Sequence, residues 1–380
     1  MLALAPPAAA QDQQQQDATL YCQGDGGPLG MASDAEHSVL LGEEPLPRGV
    51  RSSRISVNGA STRVLEAGPA SAQTAVVFVH GNPGTARDWD DLLAASGGFA
   101  RAVAIDVSGY GQSDKAAAQV QSTNGAADYL QGVLEQLGIR HAVLVLHDFG
   151  GIWGLQWAVK HPDALHAAVL IDAGVLIDYI PHPFAVVWAT PIAGELQMAT
   201  TTRQSFLGPL QAQNPRPFPP GYLDRMYDNY DRATRCAALR YYRSAAQNLN
   251  IGREQAAVLS QRRRPALVIW GGRDVFIPPE HAEKQRQAFP DARVEIFEDS
   301  GHWPFIDEPD RARGLVVPFL KPRMTAGDGG FAKGRVRIRV RARGVMPAEE
   351  VRMTVRRGGR TVGTSAPVEL SGARTFSPRP

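Results

Sequence analysis

Four short segments of this chain place reactive side chains directly after stretches that read as β-strands. In Leu146-His147-Asp148-Phe149-Gly150-Gly151 an apolar run ends in an acid, and two glycines come shortly after it. A strand that enters a helix through so tight a turn lifts one side chain above the sheet edge, as in a nucleophile elbow. Asp148 occupies that turn, where the N–H groups and dipole of a helix N-terminus favour an anion. Aspartate is also a common helix cap, so this segment alone leaves both uses open. In Val77-Phe78-Val79-His80-Gly81-Asn82-Pro83-Gly84 a strand closes on a His-Gly-x-Pro loop. Such a loop can aim the Asn82 N–H, with that of Phe149, at one point, and two such donors form an oxyanion hole. Val268-Ile269-Trp270-Gly271-Gly272-Arg273-Asp274 is a strand followed by an acid, and Glu298-Asp299-Ser300-Gly301-His302-Trp303 a strand followed by a histidine. Lone loop acids and histidines are usually solvated. Here each follows a strand, where open α/β sheets bind ligands.

Together these groups suit one chemistry. A carboxylate is a poor nucleophile at a carbonyl carbon, because its adduct is an anhydride. It serves well at a saturated carbon bearing a leaving group, and the product is an alkyl ester on Asp148. His302, expected neutral near pH 7 and oriented by Asp274, would then take a proton from water, and the oxyanion loop would stabilise hydroxide attack on the ester. Asp172 also follows a strand and is an alternative partner for His302, with Asp274 preferred for its Trp-Gly-Gly-Arg-Asp turn.

The elements needed to hold these groups are legible from Arg54 onward. Strands are expected at Arg54–Val57, Arg63–Glu66, Ala75–His80, Ala102–Asp106, Ala142–His147, Ala167–Asp172, Ala266–Trp270 and Val294–Phe297. Most are short continuous apolar runs, as parallel strands covered on both faces are. Helices fit Gly125–Leu137, Gly150–Lys160, Glu280–Ala288 and Asp310–Leu320. The alternation predicts a mostly parallel, doubly wound α/β sheet. It breaks between Gly174 and about Ser260, where prolines and scattered aromatics replace strands. The expected organisation is a flexible leader (1–47), a core in two parts (48–173 and 261–323), a helical insertion (174–260) and an appended basic tail (324–380).

Composition bounds the rest. With 380 residues, 43% hydrophobic and 21% charged, the chain is an ordinary globular protein. No apolar run reaches the roughly 18 residues of a spanning helix. Two cysteines, Cys22 and Cys236, supply neither a disulfide framework nor a cysteine zinc site. No metal or nucleotide motif appears, and no cofactor is expected. The formal net charge is +2, yet the tail from Met324 carries +8, from eleven Arg and one Lys against four acids. Arg335, Arg337, Arg339 and Arg341 alternate with apolar residues, as does Glu350–Arg356 before a Gly358-Gly359 turn, which reads as a β-hairpin. No aromatic interleaves with that stripe, so neither nucleic acid nor membrane is expected as a partner. Ala8-Ala9-Ala10 before Gln11 is similar to the cleavage end of a signal peptide. The stretch before it is short and lacks a basic residue, so a cytoplasmic location is expected, with export as the alternative. Oligomeric state is not legible.

The four segments occur in the order nucleophile, acid, base, and in this the chain resembles the α/β-hydrolase superfamily. It is most similar to the branch with an aspartate nucleophile, the epoxide hydrolases and haloalkane dehalogenases. The resemblance runs from about Arg54 to Pro322 and includes Ile105-Asp106-x-x-Gly109-Tyr110-Gly111-x-Ser113-Asp114. Leu146 departs from the glycine common before the nucleophile. The resemblance implies a helical cap over 174–260, a triad of Asp148, Asp274 and His302, and a small apolar organic substrate. It also implies that Leu239-Arg240-Tyr241-Tyr242-Arg243 supplies one of two cap tyrosines that protonate an opening epoxide, namely Tyr242. No segment matches the second; Tyr179, Tyr222, Tyr227 and Tyr230 are the tyrosines available. Asn82 is often the halide ligand in the dehalogenases, whereas Phe149 replaces their halide-binding tryptophan and has no donor. Epoxide hydrolysis to a diol is therefore expected, with haloalkane dehalogenation the alternative and a non-catalytic binding protein on the same fold a third reading.

Overall fold

Continuous apolar runs that cannot face water on either side dictate the centre of the molecule. The computed structural model describes residues 8–36, 45–115, 121–332, 335–343, 345–346, 348–351, 354–357, 360–364, 368–370 and 373–376. The chain begins with helices α1 (Ala8–Leu20) and α2 (Gly27–Glu36). Strands β1 (Arg51–Val57) and β2 (Ala60–Ala67) then form an antiparallel hairpin. After β3 (Thr74–Val79), helix α3 (Asp90–Gly97) leads to β4 (Arg101–Ile105), and α4 (Thr123–Gln136) leads to β5 (His141–His147). Helix α5 (Phe149–Lys160) and strand β6 (Leu165–Ile171) come next.

Between β6 and β7 (Ala266–Gly271) lie six helices and no strand: α6 (Pro183–Ala189), α7 (Ala193–Thr200), α8 (Arg203–Gln213), α9 (Tyr222–Asp228), α10 (Arg232–Ala246) and α11 (Ile251–Leu259). The core closes with α12 (Glu280–Lys284), β8 (Arg293–Phe297), α13 (Pro304–Asp307) and α14 (Pro309–Leu320).

The eight strands form one sheet in the order β1-β2-β4-β3-β5-β6-β7-β8. It is an α/β-hydrolase fold, parallel from β4 to β8, with antiparallel pairing only where β1 and β2 join its edge. The chain leaves β3 in one direction for β4 and returns to the other side for β5. A crevice therefore opens at the carboxyl ends of β3 and β5, where ligands bind in such sheets. The register pairs Val79 with Leu146, so the loops carrying Asn82 and Asp148 start side by side.

Glycine permits that closeness. A Cβ at Gly150 would lie 2.7 Å from His80 O and nearer still to Val79 O, and one at Gly151 would meet Gly174 N at 2.7 Å. Helix α5 thus rests directly on the end of β3. Gly150→Ala should push the helix off the sheet and cost about 1–3 kcal/mol or more. A thermal melt checks this, and an unchanged midpoint would show that the helix can move freely.

Two terminal regions differ from expectation. Residues 8–36, expected within a flexible leader, form α1 and α2 packed on α7 and α10. Tyr21 and Ala18 are fully buried, and a disulfide joins Cys22 to Cys236 of α10 across 214 residues of sequence. The two cysteines build no framework, but they do make this one staple. In the tail, β10 (Arg335–Arg343) is not one arm of a hairpin with 350–356. It pairs on one side with β9 (Arg323–Ala332) and on the other with β15 (Ala373–Phe376). A two-stranded ribbon is marginal in water, and a third strand completes more of its hydrogen bonds. The short strands β11 (Ala348–Val351), β12 (Thr354–Arg357), β13 (Arg360–Thr364) and β14 (Val368–Leu370) pair as β11–β14 and β12–β13. The Gly358-Gly359 turn lies outside the described residues. The tail is tied to the core at Met346, which is buried and whose N–H donates to Leu320 O. No helix among the described residues is long and apolar enough to cross a membrane.

Candidate active site

Asp148 is the residue between β5 and α5, and its backbone shows what the position demands. Its φ of 47° and ψ of −123° are sparsely populated for a residue with a side chain. Such strain costs on the order of 1–3 kcal/mol and persists where the surroundings enforce it. Its side chain makes no cap to its own helix. Instead, Oδ1 accepts the Asn82 N–H at 2.6 Å, and Oδ2 lies 3.6 Å from His302 Nε2. Burial alone would raise the Asp148 carboxyl; the adjoining His302 and the Asn82 N–H outweigh it and hold it below the ordinary carboxylate range.

The loop carrying Asn82 is held from below. Its Asn82–Pro83 peptide is cis. The buried carboxylate of Asp106 accepts the Ala86 N–H at 2.7 Å and the Gln112 N–H at 2.9 Å, and Arg63 lies 3.7 Å away. His80 accepts the Val107 N–H on Nε2, so Nδ1 donates to Gly81 O. Phe149 opens the first turn of α5, whose N–H groups have no partner within the helix.

His302 reaches the same point from the loop after β8. Its Nδ1 lies 2.7 Å from Asp274 Oδ2, and Asp274 Oδ1 accepts the Phe276 and Ile277 N–H groups. His147 holds the His302 main chain from behind, with Nε2 donating to His302 O at 2.8 Å. Burial would depress the His302 imidazole, but Asp274 on one side and Asp148 on the other raise it well above its usual value. Set between the Asp274 and Asp148 carboxylates, the resting imidazole is biased toward its protonated form, in the opposite direction to the neutral imidazole expected near pH 7.

Asp172 comes within reach without taking Asp274's place. Its Oδ1 accepts the Gly271 N–H, and burial, then the charge of Asp274, push its carboxyl well above the usual range. Beside the Asp274–His302 pair, its protonated form is favoured. Asp172, Asp274 and His302 are also the one group among the described residues close enough to ligate a cation. Asp274 and His302 already satisfy one another there.

Above Asp148 lies a cavity of about 430 Å³ between the sheet and helices α6, α10 and α11. Tyr242 faces it, one edge packed on Phe149 at 4.7 Å. Burial, then the charge of Asp148, raise its phenol well above the ordinary value, so it is a proton donor and not a phenolate. Asn82 does not line the cavity. Its amide is held between Tyr110, which donates to Oδ1 at 3.0 Å, and Tyr242 Oη, which accepts from Nδ2 at 3.4 Å.

His182 lines the cavity, although no motif marks it in the sequence. Its Nδ1 accepts the Ala185 N–H and caps α6, which leaves Nε2 to carry the proton. Burial lowers its pKa to about 4, so it is a neutral N–H donor at physiological pH. Its ring stands 6.2 Å from that of Tyr242. The other tyrosines are engaged elsewhere. Tyr179 lines the cavity but donates to Phe276 O, Tyr222 to Asp88 and Tyr227 to Thr201 O, while Tyr230 packs against Phe206 and lies beside Asn82 behind the site, outside the cavity lining.

Sheet order, elbow and the line of acid and base beside it are those of the α/β-hydrolases. A model of the alpha/beta hydrolase fold matches residues 74–309, and the chain belongs to that family as a hydrolase. Among characterised relatives it is similar to the 2-hydroxy-6-oxo-6-phenylhexa-2,4-dienoate hydrolase of Comamonas testosteroni, at 25% identity over 71% of this chain and 96% of the other. Among solved structures, the Cif epoxide hydrolase of Acinetobacter nosocomialis superposes with a TM-score of 0.62, at 20% identity over 84% of this chain and 98% of its own. The haloalkane dehalogenase DatA of Agrobacterium tumefaciens C58 gives 0.62, at 20% identity over 71% and 96%. At these identities the structural likenesses show the fold.

Proposed function

We propose that the protein is an epoxide hydrolase that works through an alkyl ester on Asp148. The observation that carries this reading is one apolar cavity with a carboxylate at its floor and two neutral donors, Tyr242 and His182, in its wall. Asp148 Oδ1, bound to the Asn82 N–H, is already where an ester carbonyl oxygen must sit, so Oδ2 attacks the ring carbon. The C–O bond breaks, Tyr242 gives its proton to the leaving alkoxide, and the His182 N–H supports the developing charge. Solvent restores the Tyr242 proton.

Esterification removes the negative charge of Asp148, one of the two anions holding the His302 proton. His302 then releases that proton and becomes the base the second step needs. Water loses a proton to His302 as its oxygen attacks the Asp148 carbonyl carbon, and the Asn82 and Phe149 N–H groups receive the oxyanion. Collapse breaks the bond to the alkoxide, which takes the proton from His302 and leaves as the diol; the Asp148 carboxylic acid then gives its own proton to the neutral His302, restoring the resting pair. Halide release is less favoured, because the Asn82 amide is occupied by two tyrosines and Phe149 offers no donor. On location, the Cys22–Cys236 bond favours an oxidising compartment over the cytoplasm.

Wild-type enzyme incubated with matched terminal epoxides and bromoalkanes should yield diols from the former. Tyr242→Phe should slow this by about 10²- to 10⁴-fold without altering the melt. Bromide release with untouched epoxides would overturn the reading.

A further inference from the structure

We infer that the substrate is an epoxide on a long uncharged alkyl tail, and that the tail leaves the cavity across an apolar collar at its mouth. This inference rests on the epoxide reading and extends it to substrate class. Apart from Leu20 and Met31 on the N-terminal helices, the exposed large apolar side chains among the described residues gather in or beside the cavity-lining segments: Ile180 is 85% exposed, Leu249 71%, Val186 54% and Val275 52%. Val186 and Leu249 also line the cavity, Ile180 sits between the lining residues Tyr179 and Pro181, and Val275 precedes the lining residue Phe276. The collar is therefore the outer edge of the cavity wall and not a separate patch.

The cavity's polar groups with reactive roles gather at Asp148, Tyr242 and His182. Among the described residues, no Lys, Arg or Glu lines it. Arg253 and Asp178, close in sequence to lining residues, pair with each other. An anionic head group would find no Lys or Arg side chain among the described lining residues, whereas methylenes find a mostly apolar wall. A tail longer than the cavity covers side chains that otherwise remain in water, and each methylene so buried contributes up to about 0.8 kcal/mol.

The test is a series of unbranched terminal epoxides from about four to about fourteen carbons, each kept below its aggregation concentration, with kcat/KM measured for wild type and for the double variant Ile180→Ser with Val275→Ser, two rim positions outside the cavity lining. In the wild type kcat/KM should climb by about two- to fourfold per added methylene, the upper figure being full burial. The variant, altered only at exposed positions, should match wild type on the shortest epoxides and lose the climb on the longest. Equal slowing of short and long substrates would overturn the inference, as would a rate that rises only when lipid vesicles are added. A dimer that dissociates in the variant would put a second copy on the collar and overturn it too. Calorimetric binding of the corresponding 1,2-diols reads the collar without turnover. Chain-length dependence there, with no epoxide opened, would keep the collar and reject the epoxide reading; its absence would reject the collar.

Discussion

His302→Gln, mixed with an accepted epoxide, should gain the mass of one whole substrate molecule on Asp148 and then stall. The gain appears because attack by Oδ2 needs an ionised carboxylate, the Asn82 N–H and a proton donor; losing His302 removes one of the groups that keep Asp148 ionised but leaves the other two in place, so the adduct forms more slowly and at higher pH. The stall arises because His302, 3.6 Å from the carboxylate, is the base placed to take a proton from water. Glutamine keeps the size and a hydrogen-bonding end but cannot act as a base. Asp148→Asn should show no adduct and a loss of at least about 10⁴-fold in kcat/KM, in line with removal of a nucleophile. Intact mass and peptide mapping decide the matter. A His302→Gln enzyme that shows turnover with no adduct on any accepted substrate would falsify the ester route.

The same arrangement fixes the sign of the pH dependence. In the free enzyme the Asp148 carboxyl is lowered, so kcat/KM should hold through the mildly acidic range and fall only as pH drops through the value below the ordinary carboxylate range. The base of the second step must be neutral. His302 is raised well above its usual value while Asp148 is charged, and esterification removes part of that support. Where ester hydrolysis limits turnover, kcat should therefore lose activity on the acid side at a higher pH than kcat/KM does. Pre-steady-state measurement of the two steps across pH reads the separation directly. Identical profiles would mean that His302 does not change charge on alkylation.

Much of this site can be read from the chain because its parts obey local rules. Strands β3 to β7 are buried on both faces, and such strands write themselves as apolar runs. Asp148 and Asp274 each follow one of them and His302 follows the neighbouring β8, so finding the strand locates the side chain. What escapes depends on distance in sequence. The proton on His302 is set by carboxylates from two other strands, and no pattern around residue 302 carries it. His182 precedes Pro183 in a segment of prolines and aromatics, where a lone histidine reads as solvated; its one local signal is the N-cap position before a proline. Helix α3 is two turns of Asp-Asp-Leu-Leu-Ala-Ala-Ser-Gly, too short for a period to emerge. The six inserted helices blur for the related reason that Pro209 lies inside one and Pro183 begins another. The second polar donor in the cavity wall is an imidazole, where the family resemblance implies a second tyrosine.

The Cys22–Cys236 bond is the least legible feature, because 214 residues separate its ends, and it carries the other large expected effect. Closing so long a loop removes up to about 5 kcal/mol of unfolded-state entropy on a chain model, and native disulfides commonly contribute about 2–4 kcal/mol. The bond does not act alone. Arg232 donates to Tyr21 O at 3.1 Å and pairs with Asp34 at 3.0 Å, so the N-terminal helices grip the first turn of α10. Six residues beyond Cys236 on that helix stands Tyr242, and its neighbour Tyr241 ties the helix to Ser108 O. The double variant Cys22→Ser with Cys236→Ser should melt roughly 5–10 °C lower, at about 2–4 °C per kcal/mol for a large domain. Reductant should shift the wild type to the same midpoint and leave the variant unchanged. Limited proteolysis of the variant should cut within residues 8–36 first. Epoxide turnover should fall with kcat affected more than KM, since Tyr242 donates its proton in the transition state while apolar wall supplies most of the binding. Coincident melts of wild type and variant under oxidising conditions would show that the N-terminal helices hold α10 without the covalent bond.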